Sequence, residues 1–268
     1  MPILIKFLCI AIAIIALFAG LLFIMQDRII LLPRLAAAAG LPRLGPSAVE
    51  WIEQNHYRGI VMEPSGPARG TAIIFHGNAT LAPQLQVLAP YFLDRGLRVV
   101  LQEYPGFERR PGKPTVRNAL ASAHEDVALA ARKWPGPLYL VGHSFGAGLA
   151  AQVAGTNPDK IAGILLFTPW NSLASLAREK YLGIPLDVLL HERLDSAAAL
   201  KGYTGPAVIV SAEQDTIVPP HHAKALADAI PNAHYIALRG ADHVSWIDAP
   251  MPGTYARIFE AWNLGPGL

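Results

Sequence analysis

The stretch Leu138-Tyr139-Leu140-Val141-Gly142-His143-Ser144-Phe145-Gly146-Ala147-Gly148 constrains this chain more than any other. It begins as an apolar run, passes through Gly-x-Ser-x-Gly and continues into the small residues Ala147–Ala154. That order reads as a buried strand, a sharp turn and a helix, with one serine at the apex. A side chain at position 142 or 146 would collide with the crowded strand and helix, so glycine at both is a steric requirement of the turn. Exposed at such an apex, Ser144 is the candidate nucleophile. The competing reading is a tight helix–strand crossing that merely contains a serine.

The rest of the chain supplies a context for that turn. Residues 51–63 can form one or two early strands. Strands are then expected at Thr71–His76, Arg98–Glu103, Leu138–Val141, Ile161–Phe167, Ala207–Ser211 and His234–Leu238. Helices are expected at Leu81–Arg95, Val116–Trp134, His221–Ile230 and within Val244–Trp262. Strands alternating with helices imply a mostly parallel sheet covered on both faces. A chain of 268 residues with 52% hydrophobic content suffices for one large domain with a sizeable core. The active site of such a sheet lies at the carboxyl ends of its strands.

Three polar groups join Ser144 there. Asp215 follows the strand Ala207–Ser211, His243 follows His234–Leu238, and His76-Gly77-Asn78 follows the strand from Thr71. The order Ser, Asp, His suits a triad in which His243 takes the serine proton and Asp215 orients the imidazole. The backbone N–H groups of Phe145 and Asn78 are the candidate oxyanion donors. Among competing carboxylates, Asp242 adjoins His243 in sequence, and neighbouring side chains generally diverge, so it makes a poor orienter; Glu213 lies closer to the strand and is the alternative orienter. His76 is read as shaping its turn and Glu103 as a structural hydrogen-bonding group. His221-His222 opens a helix and reads as solvent-facing. No third metal ligand stands at a recognisable spacing from it, so no metal and no cofactor are expected.

Phe7–Met25 is an uninterrupted run of nineteen residues without a charge. As a helix it spans roughly 28 Å, close to the hydrocarbon thickness of a bilayer. It is longer than the apolar core of a cleaved signal peptide, so residues 1–26 are read as a single-pass transmembrane anchor. Residues 27–50 follow as a juxtamembrane tether rich in Pro and Ala, and residues 51–268 as the globular domain. Lys6 flanks one side of the anchor and Arg28, Arg34 and Arg43 the other; this raw count leans towards a cytoplasmic domain. A net charge of +2 without a basic cluster gives no support to nucleic-acid binding. The single cysteine, Cys9, excludes an intramolecular disulfide. The oligomeric state is not readable.

Several blocks then carry a resemblance. Phe75-His76-Gly77-Asn78-Ala79, Glu103-Tyr104-Pro105-Gly106-Phe107, Phe167-Thr168-Pro169-Trp170-Asn171-Ser172-Leu173, Asp215-Thr216-Ile217-Val218-Pro219 and Gly240-Ala241-Asp242-His243 occur in that order. With Gln26-Asp27-Arg28-Ile29-Ile30-Leu31-Leu32-Pro33 behind the apolar run, the chain resembles the membrane-anchored serine hydrolase branch of the alpha/beta-hydrolase superfamily (serine-aminopeptidase-type, or abhydrolase-domain, proteins). The resemblance implies an eight-stranded core, Ser144, Asp215 and His243 as the triad, and an extracytoplasmic domain. It also implies a small cap at residues 168–205. Trp170, Leu173 and Tyr181 of that cap are the candidate substrate-binding residues. An apolar cap suits an acyl chain, and packing onto the core is the alternative role for these side chains. The family loop often continues Gly-x-Gly-x-Ser after Tyr104, whereas this chain reads Gly106-Phe107-Glu108-Arg109-Arg110. The expected activity is hydrolysis of a carboxylic ester or thioester, such as a lipid or lysolipid, through an acyl-enzyme. A serine aminopeptidase is the first alternative, and a non-catalytic membrane-bound binding protein is the alternative of another class.

Overall fold

The apolar runs become eight strands in the computed structural model, which describes residues 2–181, 189–248 and 252–265. They are β1 (Ala48–Glu53), β2 (His56–Met62), β3 (Gly70–Phe75), β4 (Leu97–Gln102), β5 (Leu138–His143), β6 (Ile161–Phe167), β7 (Ala207–Ala212) and β8 (Ala233–Leu238). They form one sheet in the order β1-β2-β4-β3-β5-β6-β7-β8. β1 and β2 are antiparallel to their neighbours; β4, β3, β5, β6, β7 and β8 run parallel. Every residue of β3 and β7 is buried. This explains why their sequences read as continuous apolar runs rather than alternating ones. Two apolar layers result. One contains Ile73, Leu140, Ile164 and Ile209, and the other contains Ile74, Val141, Leu165 and Val210.

The helices are α1 (Pro2–Ile30), α2 (Pro33–Ala38), α3 (Ala89–Leu93), α4 (Val116–Lys133), α5 (Phe145–Thr156), α6 (Leu173–Lys180), α7 (Ser196–Leu200), α8 (Pro220–Ala229) and α9 (Pro252–Ala261). The expected helix over Leu81–Arg95 is instead a 3-10 segment, Ala82–Leu88, followed by the short α3. Pro90 falls inside the expected helix and breaks it, because it lacks an N–H and clashes with the carbonyl one turn earlier, whereas Pro83 stands in the first turn, where proline is tolerated. The closing helix over Val244–Trp262 is likewise divided, with a short 3-10 turn at Ser245–Asp248 before α9. The cap contributes α6 and α7 between β6 and β7. Leu182, Ile184 and Leu186, expected to pack in it, lie outside the described residues.

The helix that carries the apolar run continues past it. At 29 residues, α1 is about 43 Å long. It is long and apolar enough to cross a membrane, and its most apolar window is unburied. Its last turns meet the globular body. Gln26 donates to the Leu189 carbonyl at 2.9 Å and accepts from His191 N at 2.7 Å. Asp27 accepts the Val116 N–H that opens α4, at 2.9 Å. Leu31 and Ala36 are buried in the same layer as the parallel strands. Within the segment read as a tether, Leu31 and Ala36 are thus anchored on the body, while residues 37–43 are exposed.

Beneath β2 and β4 lies a buried ionic network. Asp126 on α4 is fully buried. It accepts from Arg58 Nη1 at 2.5 Å, from Gln102 Nε2 at 2.8 Å and from the Arg110 guanidinium. Arg110 also donates to the Glu103 carbonyl at 2.7 Å. The departure from the family loop therefore has a structural role: Arg110 turns inward and ties the 103–110 loop to α4. Removing one partner of such a cluster strands the others without compensation. We expect Asp126→Ala to lower stability by about 3–5 kcal/mol, read as a fall in chemical denaturation midpoint. A conservative loss well under 1 kcal/mol would contradict the network's role.

Candidate active site

The turn after β5 is as crowded as its glycines require. A Cβ at Gly142 would lie 2.4 Å from the Gly146 carbonyl oxygen, and one at Gly146 would lie 2.2 Å from the Phe75 oxygen. Ser144 itself adopts φ 54°, ψ −113°, a conformation that L-residues rarely accept. It is held there by its N–H to Phe167 O at 3.0 Å and by acceptance from Ala147 N and Gly148 N at the head of α5. The side chain is lifted to the carboxyl edge of the sheet.

Two loops meet it. Ser144 Oγ lies 2.9 Å from His243 Nε2, and His243 Nδ1 lies 2.7 Å from Asp215 Oδ2. Asp215 Oδ1 in turn accepts the N–H groups of Ile217 and Val218, each at 2.8 Å. With one oxygen held by backbone donors, the other is presented to the imidazole. The carboxylate requires Nδ1–H, which leaves the Nε2 lone pair facing the serine hydroxyl. All three groups are buried. The competing carboxylates are engaged elsewhere. Asp242 accepts from Val244 N and Ser245 N, and Glu213 accepts from Gly240 N.

The turn at His76–Asn78 packs against this elbow. A Cβ at Gly146 would also lie 2.6 Å from the His76 oxygen, and one at Gly77 3.1 Å from His143 Nδ1. Phe145 is the first residue of α5, where the N–H has no intrahelical acceptor. Asn78 faces the other way with its side chain, which donates to Ile30 O at 2.9 Å, and its carbonyl accepts from Leu32 N at 3.0 Å. His76 and Glu103 form a fully buried pair at 2.7 Å. Glu103 also accepts from Ala82 N at 3.1 Å, and Tyr104 donates to the His76 carbonyl at 2.6 Å. These contacts fix the turn rather than the reacting groups.

One residue at the site escapes a reading of the sequence. His143, the variable position before the serine, packs 5.2 Å from the His243 ring and 5.0 Å from Trp246. Its Nε2 lies 3.2 Å from the His243 carbonyl, so a neutral imidazole donates there and steadies the loop. Burial, then the proximity of His243, lowers its pKa to about 3. No spacing rule points to it, since the contact joins residues a hundred positions apart.

The candidate substrate residues separate. Leu173 and Tyr181 line a cavity of about 510 Å³ between α1 and α6, together with Ile29, Ile30, Leu176 and Ile217. Trp170 is buried against α5 instead; a Cβ at Gly148 would lie 3.0 Å from its ring. His221 is exposed as expected, but His222 is buried, at 2% relative exposure. Its helix turns that side chain towards Asn171 and Glu179 of the cap.

Imidazoles withdrawn from water, wholly at His222 and partly at His143 and His124, make acid destabilising. Burial lowers the pKa values of His143, His124 and His222 below the ordinary 6.5. The unfolded chain then binds protons that the folded one does not, and stability rises with pH. We expect stability to be lost progressively as pH falls from about 6.5. His143→Gln should take up about one proton fewer on unfolding near pH 5, measured as a shallower dependence of the melting temperature on pH. An unchanged slope would show that His143 is protonated in the folded chain.

Comparisons agree with this architecture. The family model for serine aminopeptidase, S33, matches residues 66–197. The chain is 29% identical over 188 residues to the Mycobacterium tuberculosis (strain ATCC 25618 / H37Rv) protein Rv2307c, covering 67% of this chain and 63% of that one. It is 33% identical over 115 residues to lipase LipV of the same strain, covering 40% and 39%. Among solved structures it is similar to Est1E from Butyrivibrio proteoclasticus with bound ferulic acid. That match has a TM-score of 0.66 and 18% identity over 80% of this chain and 97% of that one. It is also similar to the Pyrococcus furiosus esterase Pf2001, with a TM-score of 0.66 and 16% identity over 84% and 95%. Sheet order, nucleophile turn and these likenesses together show that the chain has the alpha/beta-hydrolase fold, with residues 66–197 matching the serine aminopeptidase family model.

Proposed function

We propose that this chain is a serine hydrolase of carboxylic esters or thioesters, held at a membrane by α1 and acting on an apolar acyl substrate. The observation that carries the reading is the unbroken line from Ser144 Oγ through His243 to Asp215, at 2.9 and 2.7 Å. Ser144 Oγ attacks the carbonyl carbon while its proton passes to His243 Nε2. The carbonyl oxygen becomes an oxyanion, received by the N–H groups of Phe145 and Asn78. The intermediate collapses, the bond to the leaving oxygen or sulfur breaks, and His243 returns the proton to that group. Water then attacks the acyl-enzyme by the same route and releases the acid. Asp215 remains ionised and stabilises the imidazolium.

The acyl reading rests on the cavity between α1 and α6. Its lining is predominantly aliphatic, and its volume of about 510 Å³ is in the range of small-molecule sites. Ile30 borders it and also supplies the carbonyl that binds the Asn78 side chain, so the cavity adjoins the oxyanion turn. A bilayer lipid or lysolipid would suit a site walled by the end of a membrane helix. An aminopeptidase would need a carboxylate for the substrate amine. Among the described residues Lys180 is the charged group lining the cavity. Glu103 is paired with His76, Glu108 with Arg109 and Glu179 with two histidines.

Fluorophosphonate labelling followed by a p-nitrophenyl ester series tests the reading. We expect wild type to be labelled and to turn over esters, and Ser144→Ala to do neither. Asp215→Asn is expected to lose about 10⁴-fold in kcat. Labelling of Ser144→Ala as strong as wild type would sink the assignment. If the acyl chain occupies the cavity, Ala177→Phe should move the chain-length optimum to shorter esters. An unmoved optimum would put the chain elsewhere.

A further inference from the structure

A second cluster of chemically capable side chains lies outside the serine site, where the cap meets α8. Glu179 stands in the last turn of α6, and His221 and His222 stand in the first turn of α8. Glu179 Oε2 is 2.9 Å from His221 Nε2 and 3.0 Å from His222 Nε2. The three donor atoms all lie within 4.8 Å of one another. The two imidazoles stack at 4.6 Å with 29° between their planes, so both Nε2 atoms face the same carboxylate oxygen.

The hydrogen bonds around His222 sharpen the point. Its Nδ1 lies 2.7 Å from Asn171 Oδ1. With an amide oxygen there, Nδ1–H is the donor and Nε2 bears the lone pair. That lone pair points at the Glu179 carboxylate, so two acceptors face each other across 3.0 Å. A cation between the three atoms relieves the repulsion. An amide oxygen on the far nitrogen of a ligating histidine is also the outer contact that orients metal-binding imidazoles. Lys180, the nearby cation, is occupied by the Thr216 carbonyl.

We propose that Glu179, His221 and His222 form a binding site for a divalent ion of the zinc type, clasping the cap helix α6 to α8. Two nitrogens and one carboxylate suit zinc, with a fourth position left to water. Ligands about 2.0–2.1 Å from a tetrahedral ion lie about 3.3–3.4 Å apart. The Glu–His spacings therefore need to open by only a few tenths of an ångström. The two side chains that must adjust most, Glu179 and His221, are the exposed ones, at 42% and 64% side-chain exposure. His222, buried and fixed by Asn171, is the anchor. The sequence offers no such site because its third ligand lies 42 positions before His221 and is brought there by the cap. The ion has no part in the serine chemistry; it fixes the cap beside the Asp215–Pro219 loop.

The test uses the full chain in detergent, stripped with a chelator and titrated calorimetrically with Zn²⁺. Co²⁺ substitution is read by visible absorption. We expect one ion per chain and a Co²⁺ spectrum of four-coordinate type. Glu179→Gln and His221→Gln, both at exposed positions and expected to fold, should each weaken binding at least 100-fold. Asn171→Ala should weaken it about 10–100-fold, as an outer contact does. Binding should survive in His243→Asn. The proposal is overturned if no stoichiometric ion binds. It is also overturned if binding is unchanged in Glu179→Gln and His221→Gln but lost in His243→Asn, since the ion would then sit on the triad histidine.

Discussion

The close contact of Gly146 with the end of β3 sets the geometry on which the rest depends. A Cβ there would lie 2.2 Å from the Phe75 oxygen, so the head of α5 can approach the sheet only as glycine. Gly142 permits the same approach from the strand side. Between them Ser144 is forced to φ 54°. Strain of that kind costs about 1–3 kcal/mol and persists only where surroundings over-determine it. Here the surroundings are the buried strands β3, β5 and β6. The rigid sheet thus exposes the hydroxyl and brings the His76–Asn78 turn alongside it. Loops from β7 and β8 then need only deliver a carboxylate and an imidazole to a fixed point.

A second constraint links that point to the amino-terminal helix. Asn78, whose backbone lies in the turn beside Ser144, is bound on both its side chain and its carbonyl to Ile30 and Leu32. Gln26 is bound across 163 positions to the cap. The end of α1 is therefore a structural part of the globular body and forms a wall of the cavity beside the site. Long-range polar contacts of this kind hold two loops with one helix end. They also supply partners to the half-buried carbonyls of Ile30 and Leu189.

Much of this was legible in the residue order. The central strands were readable because burial on both faces demands uninterrupted apolar runs. The serine turn was readable because its sterics demand glycine at two fixed positions. Asp215 and His243 were recognisable as strand-end polar residues, and their distances of 2.7 and 2.9 Å came only with the fold. The apolar content of Leu81–Arg95 favours one helix, but Pro90 in its interior divides it. The anchoring of Leu31 and Ala36 is not legible in the sequence because their partners lie far away in the chain. The burial of His222 is not legible beside the exposed His221, because adjacent residues of α8 lie on different faces and only the cap covers one of them.

Residue order alone specifies the class of fold, the strained serine turn and a helix long enough for a membrane. These follow from local sterics and from the period and length of apolar runs, which act within a few residues. Tertiary structure decided which carboxylate meets His243, that His143 supports it, that Arg110 is buried on Asp126, and that Glu179 faces two histidines. Each of those is a contact between residues distant in sequence. Its geometry depends on how loops cross the sheet, and no local propensity encodes that crossing.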